Sequence, residues 1–320
     1  MKTFLSIVAT FLLATAAHAQ TNPDFETDTI SEFTIVACSY ISDSEGWLAD
    51  DDGNILHTIN AGDSWNLWPV DLRFTELNFI NQLTGFAITT TAAYKTGDGG
   101  ISWSSLDLPA EKIVSVHFLD SYTGFISTTA AVYKTADGGS NWTAYATEEI
   151  TFTDFFFLNS FEGIATAHDE NNYQCIWRTA DAGSTWANVF SEEDFFFNTV
   201  WFTIENVGWA VGYALQPGGL KFPVINKTTD GGQTWVNTYM NIHAHDKGEE
   251  LLEIQFKNEL EGFVTSEYSE SLITDDGGAT WHLTYDNEIQ KLPSSGIYKT
   301  IGGVTSRYIA GRKGIVTKWE

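Results

Sequence analysis

Tyr94-Lys-Thr-Gly-Asp-Gly-Gly-Ile-Ser-Trp103 and Tyr133-Lys-Thr-Ala-Asp-Gly-Gly-Ser-Asn-Trp142 are two copies of one ten-residue phrase. Four variants end at Trp65, Trp186, Trp235 and Trp281, so successive copies lie 38, 39, 44, 49 and 46 residues apart. Upstream of each copy is a second shared phrase, seen as Val116-His-Phe-Leu-Asp-Ser-Tyr-Thr-Gly124-Phe and Leu77-Asn-Phe-Ile-Asn-Gln-Leu-Thr-Gly85-Phe. Alternating apolar residues, a polar turn and then Gly-aromatic read as a β-hairpin. Each unit is therefore strand A, turn, strand B, loop, strand C, loop, strand D. A unit of about 40 to 50 residues that repeats in this way is a four-stranded propeller blade.

The loop between strands C and D has the core Thr-x-Asp-x-Gly-x-(Ser/Thr)-Trp. Its Asp, at Asp98, Asp137, Asp181, Asp230 and Asp276, is expected to accept hydrogen bonds from N–H groups one or two residues ahead. Glycine supplies the positive φ of a tight loop, and the Trp opens strand D with its indole packed beside the next blade. Asn60 replaces Asp in the first copy and still offers an acceptor oxygen. Ala182 replaces Gly in the fourth copy, and Asn141 replaces Ser/Thr in the third. Removal of Asp98 is expected to orphan a buried N–H.

These phrases resemble the Asp-box, or bacterial neuraminidase, repeat of sialidases, sortilin-type receptors and tandem-propeller glucanases. The full Gly-aromatic plus Thr-x-Asp-Gly-Gly-x-(Ser/Thr)-Trp pattern is most similar to the photosystem II stability/assembly factor family and its bacterial relatives. The resemblance covers nearly the whole chain after its leader, and with the count of units the expected fold is an all-β, seven-bladed propeller of four-stranded antiparallel blades. Six units are complete. The seventh has three strands within 298–319, and subtracting 78 from the third unit's numbers places Phe25 where a strand-D Trp belongs. The N-terminal strand is thus expected to complete the last blade and close the ring.

Residues 1–19 read as a secretory signal: Lys2, an apolar run from Phe4 to Ala16, then Ala17-His-Ala19. Residues 20–320 form the propeller. The expected location is the periplasm or the cell exterior, with no membrane span. Cys38 and Cys175 fall on distant blades, which favours two thiols, with a disulfide as the alternative. The formal charge of −26 argues against nucleic-acid and anionic-membrane partners.

Asp loops and A–B turns should share one face of the disc, leaving the D–A and B–C loops on the other. The longest of the latter are read as 213–224, 236–251 and 282–296, which makes that face the candidate binding side. Its candidate residues are Phe195, Phe196, Tyr213, Tyr239, His243, His245, Asp246, Tyr268 and Arg312, with Trp68 beside them. Phe195 and Phe196 are placed in the loop entering the fifth blade, whereas Phe155 and Phe157 are placed in the core. His243, His245 and Asp246 could hold a divalent metal ion, but solvated loop histidines are the plainer reading without a third ligand. Asp50, Asp51 and Asp52 could hold calcium but lack the spacing of an EF-hand loop, so a turn with exposed acids is favoured.

Sialidase chemistry needs three converging Arg, and the chain has only Arg73, Arg178, Arg307 and Arg312. Arg178 adjoins Thr179 and so points toward the Asp-loop face. No catalytic residue and no cofactor is assigned. The expected function is a non-catalytic, exported platform for another protein or a cell-envelope complex. The alternative is a carbohydrate-binding or sialidase-like glycoside-hydrolase propeller.

Overall fold

The computed structural model describes 25–29, 35–285 apart from 43, 61, 110, 148–149, 169–173, 241–249, 257–258 and 267–269, and strands at 293–301, 304–311 and 315–319. The fold is an all-β propeller of four-stranded antiparallel blades. Six blades consist of consecutive strands, spanning 35–69, 76–105, 113–146, 151–191, 195–240 and 251–285. A further four-stranded sheet is composite: Pro293–Ile301, Val304–Gly311 and Ile315–Trp319 are joined at the edge by Phe25–Thr29. The N-terminal strand pairs antiparallel with the C-terminal one, with Phe25 opposite Trp319 and Thr29 opposite Ile315. The first strand of this sheet contacts strand A of both the first and the sixth blades.

Blade-to-blade packing follows from the Gly-aromatic phrase. The aromatic on strand B stacks on the last aromatic of the next blade's strand A: Trp47 on Phe79 at 3.8 Å, Phe86 on Phe118 at 3.3 Å, Phe125 on Phe157 at 3.4 Å and Trp209 on Phe256 at 3.6 Å. The preceding glycine is needed for a different reason. A Cβ at Gly85 would lie 2.6 Å from the Phe79 ring, so within each blade strand A's aromatic covers a bare backbone. The A–B turn is thus more than a hairpin signal, because it builds the seat for the ring that the neighbouring blade then stacks on. Phe155 and Phe157 are buried, as expected. Cys38 and Cys175 are thiols and are not joined to each other.

Candidate functional site

Strand A is the innermost strand of each blade, and its second edge faces the axis with no ladder partner. Unpaired N–H groups there need acceptors. The adjacent blade supplies them from side chains. Ser39 Oγ accepts from Phe79 N–H at 2.8 Å, Asn78 Oδ1 from Phe118 N–H at 2.8 Å, Glu76 Oε2 from Val116 N–H at 3.1 Å and Asp154 Oδ2 from Val200 N–H at 3.1 Å. The Ser115 hydroxyl lies between Glu76 Oε1, at 3.3 Å, and Asp154 Oδ1, at 3.1 Å. Thr199 donates to Asp154 Oδ2 at 2.7 Å.

These groups line an axial channel of about 530 Å³. Burial, together with the Asp154 charge, pushes the Glu76 carboxyl well above its ordinary range, and burial raises Asp154 as well. Burial holds the His117 imidazole down to about 4, so it is neutral at pH 7. The side chains of Ser39, Glu76, Asn78 and Asp154 are thus spent on holding neighbouring blades together. Sequence reading missed this wheel; its only trace is the polar residue at matching strand-A positions, Glu76, Ser115, Asp154, Thr199 and Glu253.

On the Asp-loop face the sequence expectation needs correction. Asp98 Oδ1 accepts from the Ser102 N–H, four residues ahead, at 2.9 Å, and Oδ2 from the Ser102 hydroxyl at 2.6 Å. The buried N–H belongs to Gly100 and goes to Thr96 Oγ1 at 2.9 Å. The geometry recurs at Asp137, Asp181, Asp230 and Asp276. Asn60 does the same with Ser64 N–H at 3.0 Å, so the substituted loop keeps its shape. Indole N–H groups of Trp103, Trp186 and Trp235 close the loop on the second glycine's carbonyl. Trp65, Trp142 and Trp281 occupy the matching positions, half-buried. In the second to sixth blades the loop is tied to its own A–B turn, as in Gly99 N–H to Leu83 C=O at 3.0 Å and Gly138 N–H to Tyr122 C=O at 2.8 Å, which places both on one face.

The basic residue before the Thr was also unread. Lys95 donates to the Gly138 carbonyl, Lys134 to Ser160, Arg178 Nε to Gly231 and Lys227 to Gly277, each in the next blade. Arg178 also pairs with Glu162. These cations are therefore blade braces. Lys95, Lys134 and Lys227 lie over the rings of Phe86, Phe125 and Trp209 as well.

The opposite face is less loop-like than expected. Phe195 and Phe196 are not in a loop: they open the ten-residue strand Phe195–Ile204, because Phe195–Phe197 pair in register with Gly212–Ala214. The 213–224 segment is mostly ribbon, with strands to Leu215 and from Lys221. Strand also continues through Met240 and Tyr285. Phe196 and Tyr213 are brought together, stacked at 4.8 Å, with the Lys221 ammonium 4.4 Å from the Tyr213 centroid. Phe195 packs on Phe190 and Phe197, Tyr239 packs against the core shared by the fifth and sixth blades, and Trp68 packs beside His57. His243, His245, Asp246, Tyr268 and Arg312 lie outside the described residues. The 50–53 segment is a turn, but only Asp51 and Asp52 are exposed; contrary to expectation Asp50 is fully buried, its carboxylate engaged by Asp52 N–H and Asn54 N–H. Among the described residues no group of three or more His, Cys, Asp or Glu could hold a metal ion, and no helix is long and apolar enough to cross a membrane.

A family model described as "Photosynthesis system II assembly factor YCF48" matches residues 24–319. The chain belongs to the YCF48 family. A solved structure titled "YCF48 bound to D1 peptide" is 21% identical and superimposes with a TM-score of 0.68 over 94% of this chain and 96% of that one. YCF48 from Cyanidioschyzon merolae is 17% identical, with a TM-score of 0.67 over 92% and 98%. An ancestral GH74 enzyme is 11% identical, with a TM-score of 0.66 over 89% of this chain and 44% of its own. At these identities the structural likeness to YCF48 and to GH74 speaks of the fold alone. No curated protein matches the sequence.

Proposed function

We propose that this chain is an exported, non-catalytic protein-binding platform, a YCF48-family propeller that holds a segment of a client during assembly. The observation that carries the reading is the family match over 24–319, in a family where one member is solved with a peptide bound. The match begins after the segment read as a secretory signal, which is consistent with removal of residues 1–19. The composite sheet, in contact with the first and sixth blades, supports a ring of seven blades latched by the N-terminal strand. Platform binding requires no cofactor. A glycan reading would rest on the aromatic residues of the ribbon, yet Phe196, Tyr213 and Tyr239 already engage protein partners.

The test is in-cell cross-linking and mass spectrometry of the tagged full chain in its native envelope, with the leader's fate read from the mature N-terminus. A protein cross-linked at stoichiometric yield supports the platform. A partner-free chain, together with binding on a glycan array, would replace it with the carbohydrate reading. An uncleaved N-terminus would remove the export step.

A further inference from the structure

The A–B turns of the second, third and fourth blades place large apolar side chains in solvent at one equivalent position: Leu83 is 60% exposed, Tyr122 68% and Phe161 62%. The turn's hydrogen bonds do not involve these side chains. Its hydrogen bonds come from the residue two places earlier, where Asn81, Asp120 and Asn159 each accept two backbone N–H groups. The first and fifth blades have polar Ser44 and Asn206 at the same position, and the sixth has Leu260, 57% exposed and separated from the other three by the fifth blade's Asn206. An exposed Leu, Tyr and Phe side by side on three neighbouring blades are therefore an apolar crescent that folding does not explain. Asn81 bonds to Ser121 across one blade boundary, and Lys134 spans the other, 5.1 Å from the Phe161 centroid. Ile101, 57% exposed, lies in the Asp loop that is tied to the Leu83 turn.

Carboxylates rim this crescent. Asp98, Asp120 and Asp137 lie in the same turns and loops and are held ionised by local hydrogen bonds. The nearby cations Lys95 and Lys134 are committed to carbonyls of the next blade. A second copy would bring the same acids and a formal charge of −26, and an anionic membrane would be repelled likewise. A cationic segment with apolar side chains is complementary on both counts.

We infer that Leu83, Tyr122 and Phe161 seat a basic client segment that inserts apolar side chains between them. This rests on the platform reading and places the contact on the Asp-loop face, opposite the side expected from loop length.

The experiment is selection of a phage-displayed random 16-residue peptide library on the immobilised full chain. Enriched peptides are then synthesised and titrated against wild type, a Leu83→Ser, Tyr122→Ser, Phe161→Ser triple variant and Tyr122→Lys. Melting and near-ultraviolet circular dichroism verify both folds, and Tyr122→Lys serves alone if the triple variant fails them. The expected peptides combine Lys or Arg with aromatic or aliphatic residues, weaken at least tenfold on either variant, and weaken with added salt. Peptides that bind wild type and variants alike would overturn the crescent and leave the platform standing. An acidic consensus would overturn the charge argument. No enrichment would overturn both readings, and a wild-type dimer dissociated by the variants would replace the client with a second copy.

Discussion

Within the Asp loop two residues divide the work unequally. Thr96 satisfies the buried Gly100 N–H, whereas Asp98 serves groups of the exposed Ser102 and accepts the Thr96 hydroxyl. Thr96→Val should therefore cost about 1 to 3 kcal/mol, the penalty of an orphaned buried donor. Asp98→Ala should cost less. Urea unfolding of both variants decides, and an equal or reversed order would refute the assignment. Ala182 is a second test, since it holds φ at +66° where four of the other loops have Gly99, Gly138, Gly231 and Gly277. A left-handed non-Gly residue is strained. Ala182→Gly should gain about 1 kcal/mol, and a loss of stability would show that the Ala methyl's packing outweighs its strain.

For the blade as an element, the decisive contact is the ring of strand A lying on the glycine of strand B. Gly85→Ala puts a methyl 2.6 Å from the Phe79 ring and should cost about 1 to 3 kcal/mol through overpacking. Gly97 is the control, because a methyl added there would meet nothing within 4 Å: Gly97→Ala should be neutral or slightly stabilising. Similar thermal shifts for both would mean that the ring moves aside. The hairpins, their polar turns and the Asp loops were legible in the sequence because period-2 alternation and turn residues are local signals. The role of the recurring Gly in each phrase was only half legible, since the ring that covers it sits six positions earlier and meets it only after the hairpin closes. Likewise Lys95, Lys134 and Lys227 read as ordinary strand residues until the next blade brings a carbonyl to each.

In the whole ring, opposing titrations meet. Carboxyls of the Asp loops are depressed, Asp276 to about 2 by hydrogen bonds from Thr280, so their stabilisation is present above the ordinary carboxylate range and lost as pH falls through the folded values. Glu76 has the opposite sign. Its raised value means that folding favours the protonated form, and stability declines as pH climbs from the ordinary range through the raised one. Glu76→Gln should thus gain stability relative to wild type as pH rises from about 4 to about 8, with a difference that shrinks at the acid end. Denaturation at several pH values checks this, and a pH-independent difference would contradict it. The N-terminal strand offers another whole-ring test. Deletion of residues 21–30 strips the edge strand from the composite sheet and should lower the melting temperature by about 10 °C, the scale of several kcal/mol in a domain this size. An unchanged melt would refute the latch.

By itself the sequence determined the blade, its repeat and the pairing of the first strand with the last, because each is written in local patterns whose period survives in one dimension. It also determined the acidic character, a formal charge of −26. Tertiary structure alone decided which residues meet at the axis. Glu76, Ser115, Asp154 and Thr199 are about 40 residues apart in sequence and become hydrogen-bonded neighbours only when strand A of each blade turns its open edge inward. Leu83, Tyr122 and Phe161 form a surface for the same reason, since rotation about the ring axis sets equivalent turn positions side by side, and no local pattern records that rotation.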